Sequence, residues 1–439
     1  MNAIRKSRSP MNALCLSVSS SEIPHELLHS RWGRLNHFLC MGIIVLFATA
    51  FSGAVGSDQR NFFVIGIMGT ACLFYVLTIY KIQLREVYGW LLLLAILLCF
   101  STSPESFRWS SFFYSAMFIL TFLYYMRMLY SGILSGRTYQ LILQCIIYAY
   151  FGTLLLQQFC VLMHWPIFNF ILGEPEIFKL NSLSPEPSHS ARILVIAMYA
   201  YVIMREIDLQ HHYRLFQDGF TDRNLWFCFL YTMLTMGSGT AYFLLPLFLL
   251  RFISFWLILW GGIAIALCVW LELPAQLNVS AWTRVQLFSQ AVLTGEPAEM
   301  LFADHSASVR VLPIYYYGSF AIPSSPEFWF GYGMSFNEVF SELIPGVPKG
   351  LGLGGIFPSF LLNQGVIAGC FLLLFIAKFC LSHLFSFATL LTMIMIFSCG
   401  LNTQIPWLIF LLLGTNKYFI NRAWIVPEFR MREKRCPAM

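Results

Sequence analysis

Apolar runs about as long as a bilayer is thick, divided by short polar breaks, make up most of this 439-residue chain. A helix that crosses a membrane needs about 20 predominantly apolar residues, within a range near 17–25. Runs of that kind lie at 35–55, 62–80, 87–102, 110–127, 138–163 and 190–204, and again at 356–377, 383–400 and 403–420. Each predicts a membrane-crossing helix. Between Asn224 and Leu271 the one charge is Arg251, and that stretch holds either two comfortable spans or three tight ones.

Parity separates the two counts. Three spans there make twelve in all and put both basic termini on one side, whereas two put Arg430, Arg432, Lys434 and Arg435 opposite the N-terminus. Lys and Arg gather on the cytoplasmic side of membrane proteins, which favours twelve. Seven of the 27 Lys and Arg residues then fall outside: Arg60, Arg108, Lys179, Arg192, Arg284, Arg310 and Lys349. The expected fold is all-α, a polytopic membrane helix bundle of about twelve transmembrane helices with both termini cytoplasmic. Residues 1–34 form a cytoplasmic tail with no signal-peptide pattern, 35–420 the membrane domain and 421–439 a basic cytoplasmic tail.

Two longer polar intervals, 164–190 and 272–355, both face outward under this count. The second, between the ninth and tenth helices, is expected to be an irregular loop held out of the hydrocarbon, where unpaired backbone groups find no partner. Its seven acidic residues outnumber its three basic ones, as suits the outer side. The break between the seventh and eighth spans falls at Gly237-Ser238-Gly239-Thr240, also outside. The run Gly350 to Gly355 lacks the Gly-Lys-Ser/Thr ending of a phosphate-binding loop and reads as a hinge.

Composition narrows the class. The chain is 58% hydrophobic and 11% charged, against about a quarter charged in soluble domains, which excludes a water-soluble core of this size. A net charge of +6 without a basic, aromatic surface array gives no sign of nucleic-acid binding. Most of the 12 cysteines fall inside apolar runs and none lies in the two polar intervals, so neither a disulfide framework nor a Cys-x-x-Cys metal site is indicated. No Asp-x-Asp pair or His cluster calls for a metal, and no cofactor is implied.

Candidate chemistry concentrates at the outer face. In Pro185-Glu186-Pro187-Ser188-His189-Ser190-Ala191-Arg192 the chain passes from loop into the sixth span, with Ser188 or Ser190 expected to cap the helix. Arg192 follows within the first turn or so, either as an anion-binding group or snorkelling to lipid phosphates. Arg310, followed by Ile314-Tyr315-Tyr316-Tyr317, suits bidentate diphosphate contacts beside flat faces for sugar rings, or else belongs to an interfacial helix with an aromatic belt. His305 beside Asp304 is either an oriented imidazole or a solvated pair.

These residues together resemble a known family. Glu186-Pro187-Ser188, Thr235-Met236-Gly237-Ser238-Gly239-Thr240, the outer loop with Arg310, Gly331-Tyr332-Gly333 and Asn363-Gln364-Gly365-Val366-Ile367-Ala368-Gly369 occur in the order and topology of the O-antigen polymerase (Wzy-type) and O-antigen ligase superfamily. The resemblance spans roughly 180–420. It implies a GT-C-like glycosyltransferase of the bacterial inner membrane. Such polymerases move a growing glycan from its undecaprenyl-diphosphate carrier onto the next lipid-linked repeat unit at the periplasmic face, without nucleotide sugar or metal. The implied partners are those donor and acceptor lipids, the surrounding membrane lipids, and a chain-length regulator and flippase of the same pathway. Asn363 joins the implied substrate-binding set of Arg192, Arg284, Arg310, Tyr315 and Tyr316.

The attacking sugar hydroxyl needs a base. Glu186 is the first choice, held ionised by a neighbouring Arg192, with His189 and His305 as further candidates. Two departures bear on the activity. Gly239 stands where the family often has an arginine, so one diphosphate contact passes to Arg192 or Arg284. The His-Asn pair that ligases carry before the tenth-span motif is replaced by Gly354-Gly355, which favours polymerase over ligase. A twelve-helix transporter or flippase of lipid-linked glycans is the alternative from another class.

Overall fold

Fifteen consecutive residues, Ser190 to Met204, are buried on every side, so the helix that carries them is a central post and not a surface span. The computed structural model describes residues 31–51, 61–78, 83–105, 107–170, 176–252, 280–334, 336, 342–344, 347, 357, 359–397 and 399–433. Every regular element among them is helical. In order these are α1 (Arg31–Phe47), α2 (Phe62–Leu77), α3 (Val87–Thr102), α4 (Trp109–Tyr130), α5 (Gly136–Leu162), the central α6 (Pro187–Leu209), α7 (Asp218–Thr221), α8 (Arg223–Thr235) and α9 (Gly239–Leu249). After them come α10 (Ser280–Thr294), α11 (Pro297–Ala303), α12 (His305–Phe320), α13 (Pro326–Phe330), α14 (Ser359–Phe379), α15 (Phe387–Phe397) and α16 (Gln404–Glu433).

Local chemistry sets the helix starts. Asn61 caps α2 by accepting from the Phe63 and Val64 N–H groups at 3.1 and 3.4 Å. Ser135 caps α5, and Ser325 with Pro326 at the first position starts α13. Around α6 pack α5, α9 and α16, while α3 packs along α14 and α2 along α4. Trp407 of α16 sits at the centre, stacked on Phe118 at 5.6 Å and edge-on to Phe410 at 5.5 Å. Outward faces are apolar instead of polar, as with Leu73, Val76 and Leu77 of α2 and Leu155, Leu156, Phe159 and Leu162 of α5. Helices α4, α5 and α14 are long and apolar enough to cross a membrane, and α2, α3, α9 and α15 are shorter apolar helices.

The two ends of the bundle differ in charge. At the α6 C-terminal end, Arg127 pairs with Glu86, Arg205 with Asp222 and Arg251 with Glu206, and Lys417 donates to the Ala377 and Lys378 carbonyls of α14. At the opposite end the polar contacts are mostly amides and hydroxyls: Gln404 and Asn61 donate to Thr49 O, and Tyr150 donates to Ala48 O.

Several expectations need correction. The described part of 272–355 is a run of helices, α10 to α13, and not an irregular loop. It has its own small core of Met300, Leu312 and Phe336, with Leu362 of α14 packed into it. The break at Gly237-Ser238 is present; α8, at 13 residues, is shorter than a full span, and α9 continues as a 3-10 turn to Phe252, where the described residues stop. The third span of that region, and the Gly350 to Gly355 hinge, lie outside the described residues. The helix that carries the last apolar run extends beyond it, because α16 continues to Glu433.

Candidate functional site

Within the 164–190 interval, an outer loop by expectation, Asn169 and residues 180–184 form a buried polar knot, while Trp165, Phe168, Phe178 and Lys179 stay exposed. Asn181 donates to Asn169 O at 2.7 Å and Ser184 O at 2.6 Å, and Asn169 donates to Ser182 O at 2.8 Å and Ala50 O at 3.1 Å. Gln157 of α5 accepts from Ser182 N–H at 2.8 Å, while Ser182 Oγ donates to Tyr150 O at 2.7 Å. Ser182 holds φ +54° although wholly buried, a left-handed conformation that costs a non-glycine residue about 1–3 kcal/mol. The hydrogen bonds fix it there. The knot sets where α6 begins.

That start differs in detail from the sequence reading. Glu186, in extended backbone, occupies the N-cap position without a side-chain cap bond, and Pro187 takes the first helical position. Neither serine caps. Ser188 Oγ donates to Glu186 Oε2 at 3.2 Å, and Ser190 turns inward to Asn181 O. His189 Nε2 lies 3.9 Å from Glu186 Oε2, on the i, i+3 spacing that joins neighbours on a helix. Glu186 is therefore beside His189 and not beside Arg192, which sits six residues, or about 9 Å of helix, further in.

Arg192 is 2% exposed, and its Nε and Nη2 have no hydrogen-bond partner. It is not snorkelling, since its head is enclosed. Burying an unpaired charge costs several kcal/mol, so arginines in such places normally have a counter-ion. Arg127, also buried, shows the usual arrangement, with both carboxylate oxygens of Glu86 and the Thr78 carbonyl taken up by its guanidinium. Arg192 has the cost without that compensation. Its geometry suits an anionic ligand.

The α8–α9 break lies at the same end. Gly237 adopts φ +63°, and a Cβ there would stand 1.7 Å from Phe178 O, so only glycine lets this turn press on the 164–190 knot. At the other end of α9, Arg251 pairs with Glu206 at 2.7 Å. Helices α6 and α9 therefore run parallel. Counting back twelve residues from each partner, Gly239 comes about level with Leu194, within a turn of Arg192. The N-terminus of α9, which has no side-chain cap bond, adds partial positive charge near that level.

A second junction joins two motifs that are far apart in sequence. Tyr332 N–H donates to Leu362 O at 2.8 Å and Gly333 N–H to Asn363 O at 3.2 Å. Gly365 breaks the helical path of α14 with φ +79°, and a Cβ there would be 2.2 Å from Trp329 O. A Cβ on Gly331, at φ +94°, would be 2.3 Å from Asn363 O. The Gly331-Tyr332-Gly333 and Asn363-Gln364-Gly365 motifs are thus two halves of one backbone contact. It fastens the α10–α13 unit to α14, and Thr102 Oγ1 of α3 reinforces it at Gly331 O. The Asn363 side chain lines a small cavity between α3, α4, α14 and the turn before α16.

The remaining candidates are on α12. Asp304 is its N-cap, with Oδ1 accepting from Ala307 N–H at 2.9 Å, which engages that carboxylate with backbone. The helix begins at His305 and includes Arg310; the side chains of both, and that of Arg284 on α10, lie outside the described residues. Tyr315 is exposed and meets Tyr316 edge-on at 5.2 Å. The structure thus groups Glu186, His189 and Arg192 on α6 and the tyrosines with Arg310 and His305 on α12. Sequence reasoning passed over Ser115, Ser359 and Asn402 and gave Gln364 no role of its own; these four line the cavity with Asn363. Among the described residues no group of three or more His, Cys, Asp and Glu converges. No protein-family model, curated protein or solved structure matches the chain.

Proposed function

We propose that the chain is an oligosaccharide repeat-unit polymerase of the bacterial inner membrane, using undecaprenyl-diphosphate-linked donor and acceptor at the periplasmic face. The observation that carries this reading is Arg192, a buried guanidinium with two unpaired nitrogens near the uncapped N-terminus of α9. Both features favour an anion, and a lipid diphosphate is one that reaches such a depth from the bilayer. The family resemblance supplies the glycan and the carrier. The twelve-span count and the orientation belong to this proposal, supported by the paired basic residues at the α6 C-terminal end.

In the reaction an acceptor sugar hydroxyl attacks the donor anomeric carbon. A C–O bond forms as the bond to the diphosphate oxygen breaks. The hydroxyl proton passes to Glu186 or His189, and the diphosphate leaves as an anion stabilised by Arg192. Arg310, Arg284 and the α12 tyrosines would hold the second lipid-linked unit.

A second reading, a transporter or flippase, draws on the break in α14 at Gly365 and the polar cavity beside it, since broken helices form the central sites of many transporters. Deleting the gene and examining lipid-linked glycan separates the two. A polymerase deletion leaves single repeat units on the outer face and no long chains. A flippase deletion leaves no units on the outer face, and a ligase deletion leaves long chains on the carrier.

A further inference from the structure

The cavity lined by Asn363 has features that the glycan reading does not use. It is about 50 Å³, against roughly 10–15 Å³ for one water on that measure, so it takes a few water-sized groups and no sugar ring. Its polar lining is Ser115, Ser359, Asn363, Gln364 and Asn402, with Trp407 on the wall and no charged residue. Ser359 Oγ, Asn363 Oδ1 and Gln364 Oε1 are buried there without a hydrogen-bond partner, and Ser359 and Gln364 are 2% and 7% exposed. Ser115 Oγ donates to Asn402 Oδ1 at 2.9 Å, which brings two further oxygens to the same wall.

Neighbouring groups are engaged elsewhere. Asn363 O accepts from Gly333 N–H and from Cys99 Sγ at 3.1 Å, and the Trp407 indole N–H donates to Leu401 O at 2.8 Å. What remains unpaired among the residues lining this one small volume is oxygen from three side chains of a broken helix. Oxygen-rich, carboxylate-free sites beside broken helices suit a hard cation of single charge. A divalent ion holds its water too firmly for a neutral set to replace it, and no cationic side chain lines the cavity to hold an anion.

We infer that this cavity is a sodium site, with Ser359, Asn363 and Gln364 as its side-chain ligands and Ser115 and Asn402 completing the shell. Occupancy ties the first turns of α14 to α3, α4 and the turn before α16, beside the Gly331–Gly365 junction. The inference is independent of the glycan reading, because it concerns binding by the isolated protein.

The test uses the full chain purified in detergent, with NaCl exchanged for choline chloride at constant ionic strength. Sodium is expected to raise Tm saturably by roughly 2 °C or more, and choline is expected not to. Ser359→Ala and Gln364→Met should each remove most of the shift. Equal Tm in the two salts, or an undiminished shift in both variants, overturns the site and leaves a cavity holding water only. Should the variants fail to fold, equilibrium binding of radioactive sodium to the unsubstituted protein decides: saturation near one ion per chain supports the site, and no saturable binding overturns it.

Discussion

Arg127 and Glu86 meet as a fork, Nε on Oε1 at 2.7 Å and Nη2 on Oε2 at 2.6 Å, with Tyr75 donating to the same carboxylate at 3.0 Å. Both side chains are less than a tenth exposed. Removing one partner strands the other charge, which costs about 3–5 kcal/mol, whereas replacing both with apolar residues is often neutral. Glu86→Leu is therefore expected to lower Tm sharply in detergent, and the double variant Glu86→Leu/Arg127→Leu to recover most of the loss. A double variant as unstable as the single one would show that the pair's other contacts, not its charge balance, hold α2, α3 and α4 together.

Arg192 should behave in the opposite sense. Among the described residues no carboxylate pairs with it, and its Nε and Nη2 are unpaired, so Arg192→Leu removes a cost, and its Tm should match or exceed that of the unsubstituted protein. Polymer should nonetheless be lost in cells. Arg192→Lys keeps the charge without the planar fork and should also be impaired. A Tm loss in Arg192→Leu as large as that of Glu86→Leu would reveal a structural role instead.

The Gly331–Gly365 contact gives a steric prediction. Gly331→Ala and Gly365→Ala place a Cβ 2.3 and 2.2 Å from backbone and force a positive φ on alanine, so each should cost more than about 1 kcal/mol and reduce polymer. Gly239→Ala meets nothing within 4 Å and should be silent in both assays. Comparable losses at all three positions would mean that the glycines matter for some reason other than close approach.

How much of this was legible in the sequence follows from which signals are local. Apolar run length located α1 to α6, α14 and α16 to within a few residues at most ends, because bilayer thickness fixes helix length. The α8–α9 break was legible from Gly237-Ser238. The helical nature of α10 to α13 was not, because their short apolar stretches pack on each other and on Leu362, a partner some 50 residues on from Leu312. Glu186 looked adjacent to Arg192 in sequence, but six helical residues separate them along the axis. The burial of Arg192 and the convergence of Ser359 and Gln364 with Ser115 and Asn402 are tertiary facts that spacing alone does not encode.

The acid–base assignment rests on Glu186, half-exposed at the α6 N-cap with His189 3.9 Å away. Its carboxylate is half-exposed and has no cap bond to lose, so Glu186→Gln should leave folding intact. Polymerisation of purified lipid-linked repeat units should fall by about 100-fold or more if the base is lost. A rate equal to that of the unsubstituted enzyme moves the role to His189 or His305, and His189→Gln is the next variant to assay.

Orientation is tested by impermeant thiol labelling in intact cells. Ser184 is unsuitable as an outer probe, being fully buried in the 164–190 knot, but Lys179 of the same interval and Ser324 before α13 are exposed. His212, fully exposed between α6 and α7, reports the opposite end. Helix α6 runs between the two ends, so Lys179 and His212 must give opposite results whatever the total span count. Lys179→Cys and Ser324→Cys are expected to label before permeabilisation and His212→Cys only after it, since the paired arginines gather at the His212 end. The unsubstituted protein sets the background, because native Cys145 and Cys370 are exposed on the apolar helices α5 and α14. The reverse pattern would invert the bundle and place Arg192 at the cytoplasmic face, which a periplasmic polymerase does not permit.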